Sequence, residues 1–269
     1  PFKTFTQEFQ LLSSGADDLS WVLGMFYYDE ASSYTLHNLR DQSTFDANGD
    51  GIVDQNDPRR ELVINLDVDS KSLGAYGQLD YDLTDKLELV FGLRFSKDKK
   101  GVTDDGVSIG IEGQPTPAPI CCTVPFHEEE WSKTTGKLGL NYHVSEDAML
   151  YVSYSRGYKA GGFQILQSSG YDPEQVDAFE SGLKSRWLDN RVQMNLSAFY
   201  YDYQDKQDFQ SFPGPITNVF EIRNASAATS VGLEVEIQAQ LTTAFLVDFS
   251  LGYLNAEFDD FISIDELSP

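Results

Sequence analysis

Five oxygen-bearing side chains recur at set positions in "DANGDGIVDQND", residues 46–57. Calcium is a hard cation that takes about six to eight oxygen ligands in a flexible shell. A twelve-residue loop supplies them from positions 1, 3, 5, 7, 9 and 12, with Gly at 6 for the sharp turn. Here those positions hold Asp46, Asn48, Asp50, the backbone carbonyl of Ile52, Asp54 and Asp57, with Gly51 at the turn. Val53 follows where such loops bury an apolar side chain. The spacing predicts a structural Ca2+ site. Asp, Asn and Gly also make solvated turns by themselves, but a plain turn does not require this whole set in this register. Position 12 is the short Asp57 rather than Glu, and Pro58 argues against a long helix directly behind it.

The remaining chemistry-bearing residues form no second constellation. Cys121 and Cys122 are adjacent and are the only cysteines, so they can bond to each other only as a strained vicinal disulfide. His37, His127 and His143 are too scattered for a zinc or catalytic site. "HEEE", residues 127–130, is expected to be the polar tip of a Pro-rich loop. There is no G-x-S-x-G, P-loop or zinc signature, so no enzyme is expected. The formal net charge of −24 repels phosphate backbones and argues against a nucleic-acid partner. The 43 acids are expected to solvate loops and bind cations. No run of about 18 apolar residues occurs, so no membrane-spanning helix is expected.

The elements that must carry the loop are strands. In "VGLEVEIQAQL", residues 231–241, Val231, Leu233, Val235 and Ile237 fall on one face, and Glu234, Glu236 and Gln238 on the other. "RVQMNLSAFY", "LELVFGLRFS" and "FLVDFSLGY" repeat this period of two. Tight connections at 13–18, 83–86, 144–147, 188–190 and 241–244 alternate with long polar stretches near 31–70, 101–130, 160–174 and 208–217. Short turns on one end and long loops on the other are the pattern of an up-and-down outer-membrane β-barrel. About ten antiparallel strands are expected, many near the roughly 10-residue spanning length. Aromatics gather toward strand ends, as in "FYYDE" and "FYYDYQD", which suits girdles at the two membrane interfaces. A soluble β-sandwich also alternates, but it does not need every second connection to be long.

"LYVSYSRGYKAGGFQ", residues 150–164, resembles the barrel of TonB-dependent outer-membrane receptors, in a strand that rises to an outside loop. "TQEFQLLSSGADDLSWVLGMFYYDE", "YGQLDYDLTDKLELVFGLRFSKDKK", "FESGLKSRWLDNRVQMNLSAFYYDYQD" and "RNASAATSVGLEVE" resemble its other hairpins, in family order. The 46–57 stretch itself resembles the calcium loops of dockerin modules more than an EF-hand proper. The receptor family has a plugged barrel of roughly 22 strands. The resemblance therefore implies that residues 1–269 are part of such a barrel, with the plug and the C-terminal strands absent.

It further implies an outer-membrane location in a Gram-negative bacterium, contact with outer-membrane lipid, and coupling to TonB through the missing plug. The implied cargo is a ferric siderophore or another small nutrient. Arg156, Tyr158 and Lys159 stand where a strand leaves the barrel toward the outside, and their side chains suit an anionic ferric complex. The structural alternative for the three is girdle packing and loop pairing. A passive porin or surface adhesin with calcium-ordered loops is the other functional class. In either case the 46–57 loop lies in an outside connection, where bound Ca2+ would offset the entropy of ordering a long segment.

Overall fold

The computed structural model describes residues 2–14, 18–39, 60–111, 115, 118–119, 123–164, 170–212 and 219–260. Among these, the strands follow as β1 (Phe2–Leu12), β2 (Leu19–Leu39), β3 (Arg60–Thr84), β4 (Leu87–Ile111), β5 (Val124–Ser145) and β6 (Ala148–Lys159). Next come β7 (Gly162–Phe163), β8 (Gly170–Tyr171), β9 (Glu174–Trp187), β10 (Val192–Phe212), β11 (Val219–Thr242) and β12 (Phe245–Asp260). Ten of them form one sheet in the order β1-β2-β3-β4-β5-β6-β9-β10-β11-β12. Each pairs antiparallel with the next, without crossovers, and β1 and β12 are the edges. The small β7–β8 ribbon sits within the β6–β9 connection. This is the expected up-and-down sheet, an unclosed part of a barrel.

The tight turns all fall on one rim, and local chemistry explains them. Thr84 Oγ1 accepts from the Lys86 and Leu87 amides at 3.3 and 3.1 Å. Ser145 Oγ accepts from the Asp147 amide and Thr242 Oγ1 from the Ala244 amide, both at 3.3 Å. Each hydroxyl stands in for a backbone acceptor and folds a short turn. The β9–β10 turn puts Leu188, Asp189 and Asn190 at φ of 55°, 57° and 64°. Asp and Asn tolerate that left-handed region better than most residues.

Alternation then sorts the side chains. One cross-strand row runs Leu89, Leu140, Val152, Ser181, Ala198, Leu233. The next runs Tyr142, Leu150, Leu183, Leu196, Val235, Leu251. These apolar side chains remain open: Val152 is 53%, Leu233 54% and Leu251 59% exposed. The described hydrophobic core is only Val63, Leu66, Val102, Ala228 and Ala239. A large exposed apolar band with almost no core is the inside-out arrangement of a sheet that meets lipid.

The opposite face is polar and bonded across strands. Tyr76 Oη donates to Glu8 at 2.5 Å, and Tyr151 Oη donates to Glu180 at 2.6 Å. Asn141 donates to Glu88 at 2.8 Å, and Gln238 to Asp248 at 2.8 Å. Glu234, Glu236 and Gln238 lie on this face, opposite Leu233, Val235 and Ile237. At Gly182 a Cβ would stand 2.5 Å from the Tyr151 ring, so only glycine lets that ring lie flat on the wall.

The strands run longer than the alternation suggests. β3 and β4 have 25 residues each, against about 9–11 needed to span a bilayer. Residues 31–39, 60–70, 101–111, 124–130 and 208–212, expected as loop, are strand. The reason is solvent. Beyond the bilayer both faces meet water, so the period-two apolar signal fades while the backbone ladder continues. On β4 the apolar side changes from Leu93 and Phe95 to Lys97 and Lys99. These pair with Glu130 and Glu128 at 2.8 and 2.7 Å.

Arginine on the lipid side of such a sheet costs about 2–4 kcal/mol near the bilayer midplane. Val235→Arg is therefore expected to lower the fraction of heat-stable barrel in outer membranes, whereas Glu236→Gln on the other face is not. Gel mobility before and after heating measures both.

Candidate functional site

The loop-side rim is where this sheet concentrates unusual side-chain partnerships. β6 and β9 are 12 and 14 residues long, whereas their neighbours β5 and β10 have 22 and 21. The β5–β6 ladder ends at Lys137–Ser155, while β6 stays on β9 as far as Lys159–Glu174. Above Ser155, β6 therefore parts from β5. Residues 161–163, which follow, lie over the β4–β5 face that carries Lys100 and Trp131. Lys100 Nζ donates to the Gly161 carbonyl at 2.7 Å. The Phe163 ring meets His127 edge-on at 5.2 Å and Trp131 at 6.3 Å. A Cβ on Gly161 would collide with the Trp131 ring at 2.7 Å, which is why glycine stands there. Burial pushes the Lys100 ammonium below its ordinary value; Asp98 pulls the other way, and Lys159 adds to the fall.

The three rim residues singled out in the sequence do not form one surface. Arg156 makes a forked pair with Asp177, at 2.7 Å through Nε and 2.6 Å through Nη2. Tyr154 donates to the same carboxylate at 2.7 Å. This cluster caps the aromatic row Tyr154, Phe179 and Tyr200, whose successive ring centroids are 4.9 and 6.5 Å apart. It belongs to the upper edge of the apolar band. The Tyr158 hydroxyl is enclosed and makes no hydrogen bond of good geometry. Burial and the nearby Asp98 charge push it up to about 12. Lys159 is exposed.

"HEEE" lies in β5, not in a loop, and alternation splits it. Glu128 and Glu130 pair with Lys99 and Lys97 on one side. Glu129 sits 3.3 Å from His127 Nε2 on the other. Among the described residues no group of three His, Cys, Asp or Glu could hold a metal. The 46–57 loop, with Asp46, Asn48, Asp50, Ile52, Asp54 and Asp57, lies outside the described residues, as does Cys121–Cys122. Its described flanks are held together, since Leu39 pairs with Glu61 across β2 and β3. The donor set itself suits calcium, being all hard oxygen.

Sequence reasoning missed Asp177, Lys100, Trp131 and Phe163. Their partners are remote along the chain: Lys100 and Gly161 are 61 residues apart. No local pattern carries such a pairing. Asp177→Ala leaves the Arg156 guanidinium unpaired at the edge of the apolar band and is expected to destabilise the folded barrel by about 1–3 kcal/mol. Adding Arg156→Ala should recover part of that loss. Urea unfolding of these two variants and of Arg156→Ala alone measures it, and a double-variant loss equal to the sum of the two single losses would show that the pair contributes no coupling.

Known proteins share this sheet. The family described as TonB dependent receptor-like, beta-barrel, matches residues 2–267. The pesticin receptor of Yersinia pestis is 26% identical over 195 residues, 70% of this chain and 26% of its own length. The metal-pseudopaline receptor CntO of Pseudomonas aeruginosa is 23% identical over 195 residues, 71% of this chain and 25% of its own. The chain thus spans about a quarter of the length of the curated relatives it matches. In structure, the ferric yersiniabactin uptake receptor FyuA from Yersinia pestis shares the fold with a TM-score of 0.72 at 20% identity. That similarity covers 96% of this chain and 35% of that one. The siderophore receptor PiuA from Acinetobacter baumannii gives 0.66 at 17% identity, over 96% of this chain and 39% of its own. These relatives are receptors by name, not enzymes. The chain belongs to the TonB-dependent receptors and forms part of their β-barrel in the outer membrane of a Gram-negative bacterium.

Proposed function

We propose that this chain is part of an outer-membrane receptor that takes up an iron complex, such as a ferric siderophore, with energy delivered through TonB to a plug outside this chain. The observation that carries the reading is the family match over residues 2–267, joined to relatives named as receptors for pesticin and metal-pseudopaline. The geometry is compatible with it. A polar inner wall gives a hydrated lumen, and the loop-side rim gives a mouth. At that mouth Lys159 carries an exposed cation, while Arg156 is committed to Asp177. Lys159 is therefore the residue of the original three best placed to meet an anionic complex.

Cells that depend on this receptor would be given radioactive iron as ferric hydroxamate, catecholate and phenolate complexes. Uptake of at least one is expected, and it should vanish when TonB is deleted. Lys159→Ala should weaken binding of that complex by about 0.5–1.5 kcal/mol. Uptake that persists without TonB, with ion conductance in planar bilayers, would favour a passive pore instead.

We also propose that residues 46–57 bind Ca2+ through Asp46, Asn48, Asp50, the Ile52 carbonyl, Asp54 and Asp57. The ion would tie down the connection between β2 and β3 and neutralise its clustered carboxylates. Calcium in the millimolar range is expected to slow protease cutting between residues 41 and 62. Asp50→Ala should abolish that protection, and Gln55→Ala, at a non-ligand position, should keep it. Equal protection of the Asp50→Ala protein would reduce the motif to a turn.

A further inference from the structure

The connection between β6 and β9 is anchored at both sides of a gap. Lys159 and Glu174 are paired neighbours, so the chain between them could stand up as an ordinary hairpin loop. Its described residues, 160–164 and 170–173, lie instead against two walls that are not adjacent in the sheet. On one side are the Lys100 bond to Gly161 and the rings of Trp131 and Phe163, already described. On the other side are β10 and β11.

There the fastening is made by side-chain amides. Asn224 Oδ1 accepts from the Asp172 amide at 2.8 Å, and its Nδ2 returns a bond to the Asp172 carbonyl at 2.8 Å. The same Nδ2 donates to the Asp205 carbonyl at 2.7 Å. Gln207 Nε2 donates to the carbonyls of Ala160 and Asp172 at 2.9 and 3.0 Å. The Gln164 amide donates to the Ile222 carbonyl and accepts from its amide at 3.0 Å. Gln164 is only 8% exposed. Asn224 and Gln164 each satisfy one residue's N–H and C=O together, as a neighbouring strand would.

The face is set by register. Gln207 pairs with Asn224, and along β10 it shares a side with Asn195 and Ser197, the polar wall. On β4, Lys100 shares a side with Arg94 and Ser96. Both contacts are therefore on the inner side of the sheet. We infer that the described parts of this connection, residues 160–164 and 170–173, form a fixed brace across the inside of the mouth. Asn224 is its principal positioning residue. The brace spans the low wall at β6 and β9 and ties the β4–β5 hairpin to the β10–β11 hairpin. The width of the mouth is then set before any cargo arrives, which lowers the ordering cost of binding. This deepens the uptake reading of the mouth, but its test needs no cargo.

Hydrogen exchange would be followed in the complete receptor, purified in detergent, with no ligand added. Asn224→Ala removes three bonds. It is expected to speed amide exchange at residues 170–172 by about tenfold or more. Because the brace is one unit, exchange at 160–164 should rise with it. The β9–β10 ladder should keep its protection. Asn224→Asp retains the acceptor for the Asp172 amide and loses both donor bonds, so an intermediate rise is expected. Gln164→Ala, at the other amide clamp, should reproduce the effect and serves if Asn224→Ala fails to assemble. Faster exchange at 170–172 with no change at 160–164 would overturn the single brace. An equal rise throughout β9–β10 would show that Asn224 merely stabilises the wall. A failed uptake assay would leave this measurement intact, so the two readings fail separately.

Discussion

Hydrocarbon offers no hydrogen bonds to a peptide group, so each N–H and C=O that crosses a bilayer must find its partner inside the protein. Here, between the edge strands β1 and β12, that partner is the adjacent strand. The unbroken ladder from β1 to β12 follows from that constraint, and so does the order of strands, because a short turn delivers the chain directly to its neighbour. Once the ladder is in place, the pleat decides everything about side chains. Odd and even residues go to opposite faces, one toward lipid and one toward the lumen. The scarcity of a conventional core is a consequence, since the apolar side chains gain their stabilisation from lipid.

The lumenal face faces a different demand. Its carboxylates lie on a wall crowded by the sheet's neighbours, and tyrosine and amide donors from adjacent strands satisfy many of them. Tyr151 bonds to Glu180 on the adjacent strand, Tyr76 reaches over Gly24 of β2 to Glu8 on β1, and each lays a ring along the wall. Glycine permits the close approach at Gly182, and its lack of a side chain would count against it in an isolated strand. These bonds set the inner surface without involving backbone hydrogen bonds, so residues there can vary while the ladder stays the same.

Above the bilayer the ladder meets water and no longer carries the same obligation. The long hairpins persist there by backbone pairing and by exposed ion pairs such as Lys97–Glu130, each worth only a few tenths of a kcal/mol to about 1 kcal/mol. The short β6–β9 hairpin interrupts this palisade. The described residues of its connection, 160–164 and 170–173, occupy the space with side chain-to-backbone bonds, and so the rim gains a second layer beside β4 and β5.

The number of strands, the alternation of short and long connections, and the two faces of β11 were all legible in the sequence. Turn chemistry and period-two hydrophobicity are local, and lipid enforces them over every spanning segment. The calcium-type spacing of residues 46–57 is equally local, and its reading as a Ca2+ site rests on the sequence. Strand ends were not legible, because residues 97–111 and 124–130 pair as strand with water on both sides and no longer alternate in polarity. The rim was not legible either. Arg156 looked available for an anion until the fold brought Asp177 beside it, 21 residues away in sequence. Tyr158 looked available for the same anion, but in the fold its hydroxyl is enclosed near Asp98. Asn224 and Asp172 are 52 residues apart, and only the curvature of the assembled sheet makes one the partner of the other.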